Sequence, residues 1–260
     1  MMKIKLRRRE KFVLTALLLS ILLFATQLVD LTFRYWALAV FAVVSYLLSA
    51  WSLSEDLEKH EWFSILPLPA LYALSVGLFN LFIPSGWLSR ISLFVFFALG
   101  MYAILLSANI FSVAKARTIQ LYYAAQTITL FFTLLISFLF TSTIFVLKLP
   151  VWAVVPLMGL THFPLVFSSV WLVRLSPVIS REEVLISLLP TLVVMQFAVA
   201  LSFLPLEVWL VALLIMAVLY LYLNFTQSYL KGRLFEKTLK EYFVVAAGIC
   251  VLFLIFFPGK

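Results

Sequence analysis

The sequence predicts an all-α fold: a polytopic transmembrane helical bundle of about nine spans, built as one helix plus two parallel four-helix repeats. Three observations carry the prediction. Apolar residues make up 65% of the 260 positions and charged residues only 12%, about half the charged share of a soluble domain. A water-soluble core of this size cannot hold so much apolar surface, and the mean hydropathy of +1.15 agrees. Apolar runs of about 20 residues, the length that crosses a ~30 Å hydrocarbon layer, recur along the whole chain, with charge collected between them.

In order, the expected spans are 12–30, 35–53, 62–83, 91–113, 121–147, 151–173, 184–204, 206–225 and 242–257. Ahead of the first lies a basic N-terminus, 1–11, with Lys3, Lys5, Arg7, Arg8, Arg9 and Lys11. A secretory signal peptide opens in the same way. Here the run closes on Ala25-Thr26-Gln27-Leu28 without a small-x-small cleavage site, so the first helix is expected to stay uncleaved. The fifth span, at 27 residues, must tilt, and the ninth, at 16, ends near the headgroups. Asp30 and Arg34 are spaced for a local ion pair at the first outer turn. Pro67, Pro69 and Pro190 fall near the starts of the third and seventh spans, where proline costs little and marks helix entry.

The formal charge of +8 raises nucleic acid as a partner, but the basic residues sit at span ends, as expected of bilayer anchoring, and no nucleic acid is expected. Counted on alternate sides of nine spans, fifteen Lys and Arg fall on one side and only Arg34, Arg90, Lys148 and Lys260 on the other. The positive-inside rule places the N-terminus in the cytoplasm and the C-terminus outside, in an inner (plasma) membrane. Cys250 is the sole cysteine, which excludes an intramolecular disulfide.

Two stretches echo each other. Ser64-Ile65-Leu66-Pro67 follows one acidic patch and Ser187-Leu188-Leu189-Pro190 another, while Asn109…Lys115-Ala-Arg117 and Asn224…Lys231-Gly-Arg233 each precede a Tyr, Tyr123 or Tyr242. These pairs map the second to fifth spans onto the sixth to ninth. The offset preserves direction, which implies a parallel repeat about the membrane normal. The chain then reads as a single membrane domain, with 12–30 an additional helix, 31–147 one unit and 148–260 the other.

Polar groups inside the bilayer mark where helices meet protein or water. On the fifth span Gln126, Thr129, Thr133, Ser137 and Thr141 keep to one face through four turns. Such a stripe either lines a cavity or lets helices pack closely. His162 lies mid-span beside Pro164, where the missing proline donor frees the carbonyl four residues back, and Gln196 is its expected partner. The cavity candidates are therefore Gln126, Thr129, Thr133, Ser137, His162 and Gln196. The cytoplasmic-mouth candidates are Asn109, Lys115, Arg117, Asn224, Lys231 and Arg233. A phosphate-binding loop, a His-Glu-x-x-His and a Gly-x-Ser-x-Gly turn are all absent from the sequence.

The nine-span layout with acidic residues in the second-to-third and sixth-to-seventh loops resembles the membrane-embedded aromatic prenyltransferases at the level of topology. That resemblance implies a Mg²⁺ site for an isoprenoid diphosphate, with Glu55, Asp56, Glu58, Glu61, Glu182 and Glu183 as ligands and Lys115, Arg117, Lys231 and Arg233 toward the phosphates. The chain carries neither Asn-Asp-x-x-Asp nor Asp-x-x-x-Asp, the motifs of that family. Over most of its length it also resembles an uncharacterised bacterial multi-pass membrane family, which implies no known function. The leading expectation is a non-enzymatic small transporter or membrane complex subunit without cofactor, in contact with lipid and a small-molecule or lipid substrate. The alternative is an enzyme acting on an isoprenoid or lipid phosphate at the cytoplasmic face.

Overall fold

The computed structural model describes residues 7–55, 57–83, 86–114, 121–176, 178–232 and 236–256. Among these, every regular element is helical. They are α1 (Arg8–Thr26), α2 (Leu31–Leu53), α3 (Glu61–Ser64), α4 (Pro67–Phe79) with a 3₁₀ turn Asn80–Phe82, α5 (Trp87–Ala114), α6 (Tyr122–Val146), α7 (Val151–Arg174), α8 (Arg181–Ser202), α9 (Val208–Leu230) and α10 (Glu236–Phe256). Among the described residues seven segments are long and apolar enough to cross a membrane: α2, the α3–α4 stretch Glu61–Phe82, α5, α6, α7, α8 and α9. α1 and α10 fall where the first and ninth spans are expected, and both open on charged turns.

Several helices begin earlier than the apolar runs do, because a first turn projecting into the interface can carry charge. α8 starts at Arg181, where Ser180 and Glu183 cap one another: the Ser180 hydroxyl accepts from the Glu183 N–H at 3.1 Å and the Glu183 carboxylate accepts from the Ser180 N–H at 3.0 Å. This earlier start corrects the reading of Pro190 as an entry marker. Pro190 lies inside α8, and α7 likewise runs unbroken through Pro156 and Pro164. Pro67 does open a helix, at the first position of α4, where its lost donor has no intrahelical partner to miss. Arg34 also departs from expectation. Its guanidinium donates to the carbonyls of Gln27 and Val29, closing the end of α1 instead of pairing with Asp30.

The chain divides into two compact units, 1–132 and 133–260. In the first, α1 packs against α5 and α2, and α4 packs against α2 and α5. Leu19, Leu23, Leu38, Phe41, Phe97 and Met101 are buried there. Of the glycines there, Gly100 is the most closely approached: a Cβ on it would stand 2.2 Å from the Tyr72 hydroxyl. The Tyr72 ring stacks on Phe97 with centroids 5.3 Å apart, and its hydroxyl donates to the Phe96 carbonyl.

In the second unit α7 and α8 form the most extensive pair, α9 packs on both, and α10 packs on α9. Met158, Leu165, Val166, Trp171, Ile215 and Leu219 are buried there. Lipid-type exposure is visible in each unit: Trp36 and Trp87 in the first, Trp152 and Trp209 in the second, all exposed within the first two turns of a helix. Indoles in that position suit a membrane–water interface.

Candidate functional site

The polar face of α6 meets a polar turn of α7 within the second unit. His162 is fully buried, and both of its ring nitrogens are engaged. Nδ1 lies 3.0 Å from the Met158 carbonyl, which can only accept, so Nδ1 carries the proton. Nε2 is then an acceptor, and the Ser137 hydroxyl donates to it at 2.8 Å. Thr161 lies 3.0 Å from Nδ1 and donates to the Leu157 and Met158 carbonyls. The result is a neutral, oriented imidazole that ties the middle of α6 to α7.

One turn to either side of Ser137, Thr133 and Thr141 are fully buried, and neither hydroxyl has a hydrogen-bond partner. Ser142 and Thr143 are buried in the same state. A buried hydroxyl without a partner costs roughly 1–3 kcal/mol.

Gln126 and Thr129 belong to the first unit, where the Gln126 amide donates to the Tyr122 hydroxyl and Thr129 is buried. Gln196 is exposed on α8, and Ser137 fills the role expected of it beside His162. Of the mouth candidates, Asn109 is half-buried on α5 and Lys231 half-buried at the end of α9. Asn224 donates to the Tyr220 carbonyl, and its own carbonyl accepts from the Tyr242 hydroxyl. Lys115, Arg117, Arg233 and Asp56 lie outside the described residues.

The carboxylates of the acidic loops are bound by protein. Glu55 takes Arg8 at 2.9 Å and Lys11 at 2.7 Å, and the hydrogen bonds from Lys11 and then Arg8 hold its carboxyl below the usual glutamate value. Glu58 stands 3.4 Å from the His60 ring. Glu61 is buried and accepts from the Glu58 N–H at 2.8 Å and from Ser112. Glu182 holds Arg174 through both oxygens at 2.8 and 2.9 Å. Glu183, also buried, accepts from Ser176 in addition to closing its cap. Among the described residues no group of three or more His, Cys, Asp or Glu could hold a metal ion.

Two of these roles, the tie of Glu61 to the Glu58 N–H and the Glu183 cap, were not anticipated. For the second a signal was present, since Ser180-x-x-Glu183 ahead of an apolar run is the spacing of a capping box.

The family model described as protein of unknown function (DUF5656) matches residues 18–256. The chain belongs to this family. The DUF5656 match takes in Ser137, His162, Glu61 and Glu183, and leaves Arg8 and Lys11 before it. It accords with the resemblance to an uncharacterised multi-pass membrane family. No curated protein and no solved structure matches the chain.

Proposed function

We propose that this DUF5656 member is a non-enzymatic inner-membrane protein whose α6–α7 polar core accepts a small polar solute in transit. The observation that carries the reading is the column of buried, unpartnered hydroxyls at Thr133 and Thr141 on either side of the Ser137–His162 pair. In this reading His162 is a fixed strut, and the threonines offer hydrogen bonds to the guest. The N-terminus faces the cytoplasm, as the lysine and arginine asymmetry suggests.

The two-repeat architecture draws support from packing: α2 contacts α4 and α5 as α7 contacts α8 and α9, with α1 added against α2 and α5. The metal-dependent alternative is disfavoured by the protein partners of Glu55, Glu61, Glu182 and Glu183.

Proteoliposome swelling with glycerol or urea tests the reading. Flux should exceed that of empty vesicles and fall at least fivefold in a Thr133→Val, Thr141→Val double variant. Equal flux in protein-bearing and empty vesicles would sink it. A second reading, a partner-binding subunit, is favoured by the exposed apolar face of α1 formed by Val13, Leu14, Leu17, Leu18 and Ile21. Co-purification of a stoichiometric partner, lost when Leu17 is replaced by lysine, would support it.

A further inference from the structure

α8 has two opposite faces. Ser187, Val194 and Ala198 on one are buried, and α7 and α9 are the helices packed on it. On the other, Leu185, Leu189, Leu192, Gln196 and Phe203 are exposed, with Val199 half-buried among them. Their spacings of 4, 3, 4, 3 and 4 residues are those of a coiled-coil seam. The seam runs for about 27 Å, close to the ~30 Å depth of a hydrocarbon layer, on the least buried of the seven long apolar segments. Gln196 breaks its apolar character. Among the described residues it is the one exposed Asn or Gln, and its amide has no hydrogen-bond partner. It lies six residues inside the end of α8, about 9 Å along the axis, between Met195 and Phe197. An amide turned toward acyl chains there forfeits the hydrogen bonds that water would supply.

We propose that α8 pairs with α8 of a second copy of this chain, Gln196 meeting Gln196 across a two-fold axis. The amide selects this occupant. An acyl chain neither donates nor accepts, so lipid leaves Gln196 unsatisfied, and a different protein must carry a matching polar group at the same depth. A second copy supplies that group by symmetry. Two chains inserted with one orientation are related by an axis along the membrane normal, which brings each residue of the seam opposite itself. A primary amide holds both donors and an acceptor, so two of them facing one another bond reciprocally. Hydrogen bonds of this kind hold helices together in lipid, and a single polar residue in an apolar seam fixes its register and the number of helices that join. Leu185, Leu189 and Leu192 then pack against their own copies instead of against lipid.

The test measures association of the labelled full chain in phosphatidylcholine–phosphatidylglycerol vesicles, by energy transfer between copies as the protein-to-lipid ratio is varied. Transfer should rise and saturate as for a dimer. Gln196→Leu should weaken the dimer roughly fivefold or more, and Gln196→Asn, which keeps an amide, should retain most of it. Cross-linking in native membranes checks the face independently. Cys250 is the sole cysteine, so in a Cys250→Ser background Leu189→Cys or Leu192→Cys should give a disulfide-linked dimer on oxidation. Leu160→Cys, equally exposed but on α7, should not. A chain that stays monomeric over the whole range overturns the proposal. So does a dimer that Gln196→Leu leaves unchanged, cross-linking at Leu160 as strong as at Leu192, or capture at Leu192 of another protein in place of a second copy. If Gln196→Leu fails to fold, the cross-linking pattern alone decides.

Discussion

Replacing Ser137 by alanine is expected to destabilise the protein more than replacing Ser137 and His162 together. The single change strips the donor from Nε2 while Nδ1 stays committed to the Met158 carbonyl, leaving a fully buried ring nitrogen unpaired, at a cost of about 1–3 kcal/mol. His162→Leu is milder, because the orphaned Ser137 hydroxyl can turn back to the carbonyl of Thr133, four residues earlier on its own helix. In the double variant both polar groups are gone and an apolar pair remains, a replacement that is often nearly neutral. The coupling should fall near the range for hydrogen bonds between membrane helices, about 0.6–1.7 kcal/mol. Reversible unfolding in mixed micelles, titrated with a denaturing detergent, reads all four proteins. Single-variant effects that add to the double within about 0.5 kcal/mol would refute the assigned proton and with it the fixed-strut role.

Other outcomes follow from particular contacts. Gly100→Ala drives a methyl to within 2.2 Å of the Tyr72 hydroxyl and should cost about 1–3 kcal/mol; Tyr72→Phe should restore part of it in the same unfolding assay. Lys148, exposed at the α6–α7 turn, has φ of 48°, a left-handed conformation that glycine adopts freely. Lys148→Gly should therefore stabilise by about 0.5–1 kcal/mol, seen as a raised thermal midpoint. Ser180→Ala should remove the α8 cap and about 1 kcal/mol, with faster amide exchange confined to the first turn of α8. Because Lys11 and Arg8 hold the folded pKa of Glu55 below its unfolded value, their tie is intact above the unfolded value and is lost as pH falls through the lower folded one. Corrected amide exchange at the start of α1 should stay flat from about pH 8 to about pH 5 and rise below that, and Glu55→Gln should abolish the step.

What was legible in the sequence was whatever depends on composition and run length. The helical, membrane-type architecture follows from apolar runs that no soluble core could absorb, and the helices occur where those runs lie. Their starts were misjudged where charge interrupts the run without interrupting the helix, as at Arg181 and Glu236. The α6 stripe was legible because its 3–4 spacing needs no partner to define a face. The partner was not, because α8 is apolar nearly all round, and no periodicity tells which way Gln196 points. Spacing also suggested Asp30 for Arg34, but the open carbonyls of Gln27 and Val29 compete for the guanidinium and receive it. The unpartnered hydroxyls of Thr133 and Thr141 depend on side-chain packing, which a one-dimensional pattern does not contain.

The bridge from Arg8 and Lys11 to Glu55 also sets an order of events during synthesis. α1 emerges long before α5, the helix against which it packs most extensively, and its buried face, Leu19 and Leu23 among it, must wait for Trp87–Ala114 to arrive. Glu55 emerges some thirty residues before α5 begins, so the two ion pairs and the α1–α2 contact can hold the first helix in register in the interval. The acidic residue that looked like a metal ligand is thus available to tie α1 down before the helix that buries it has been made.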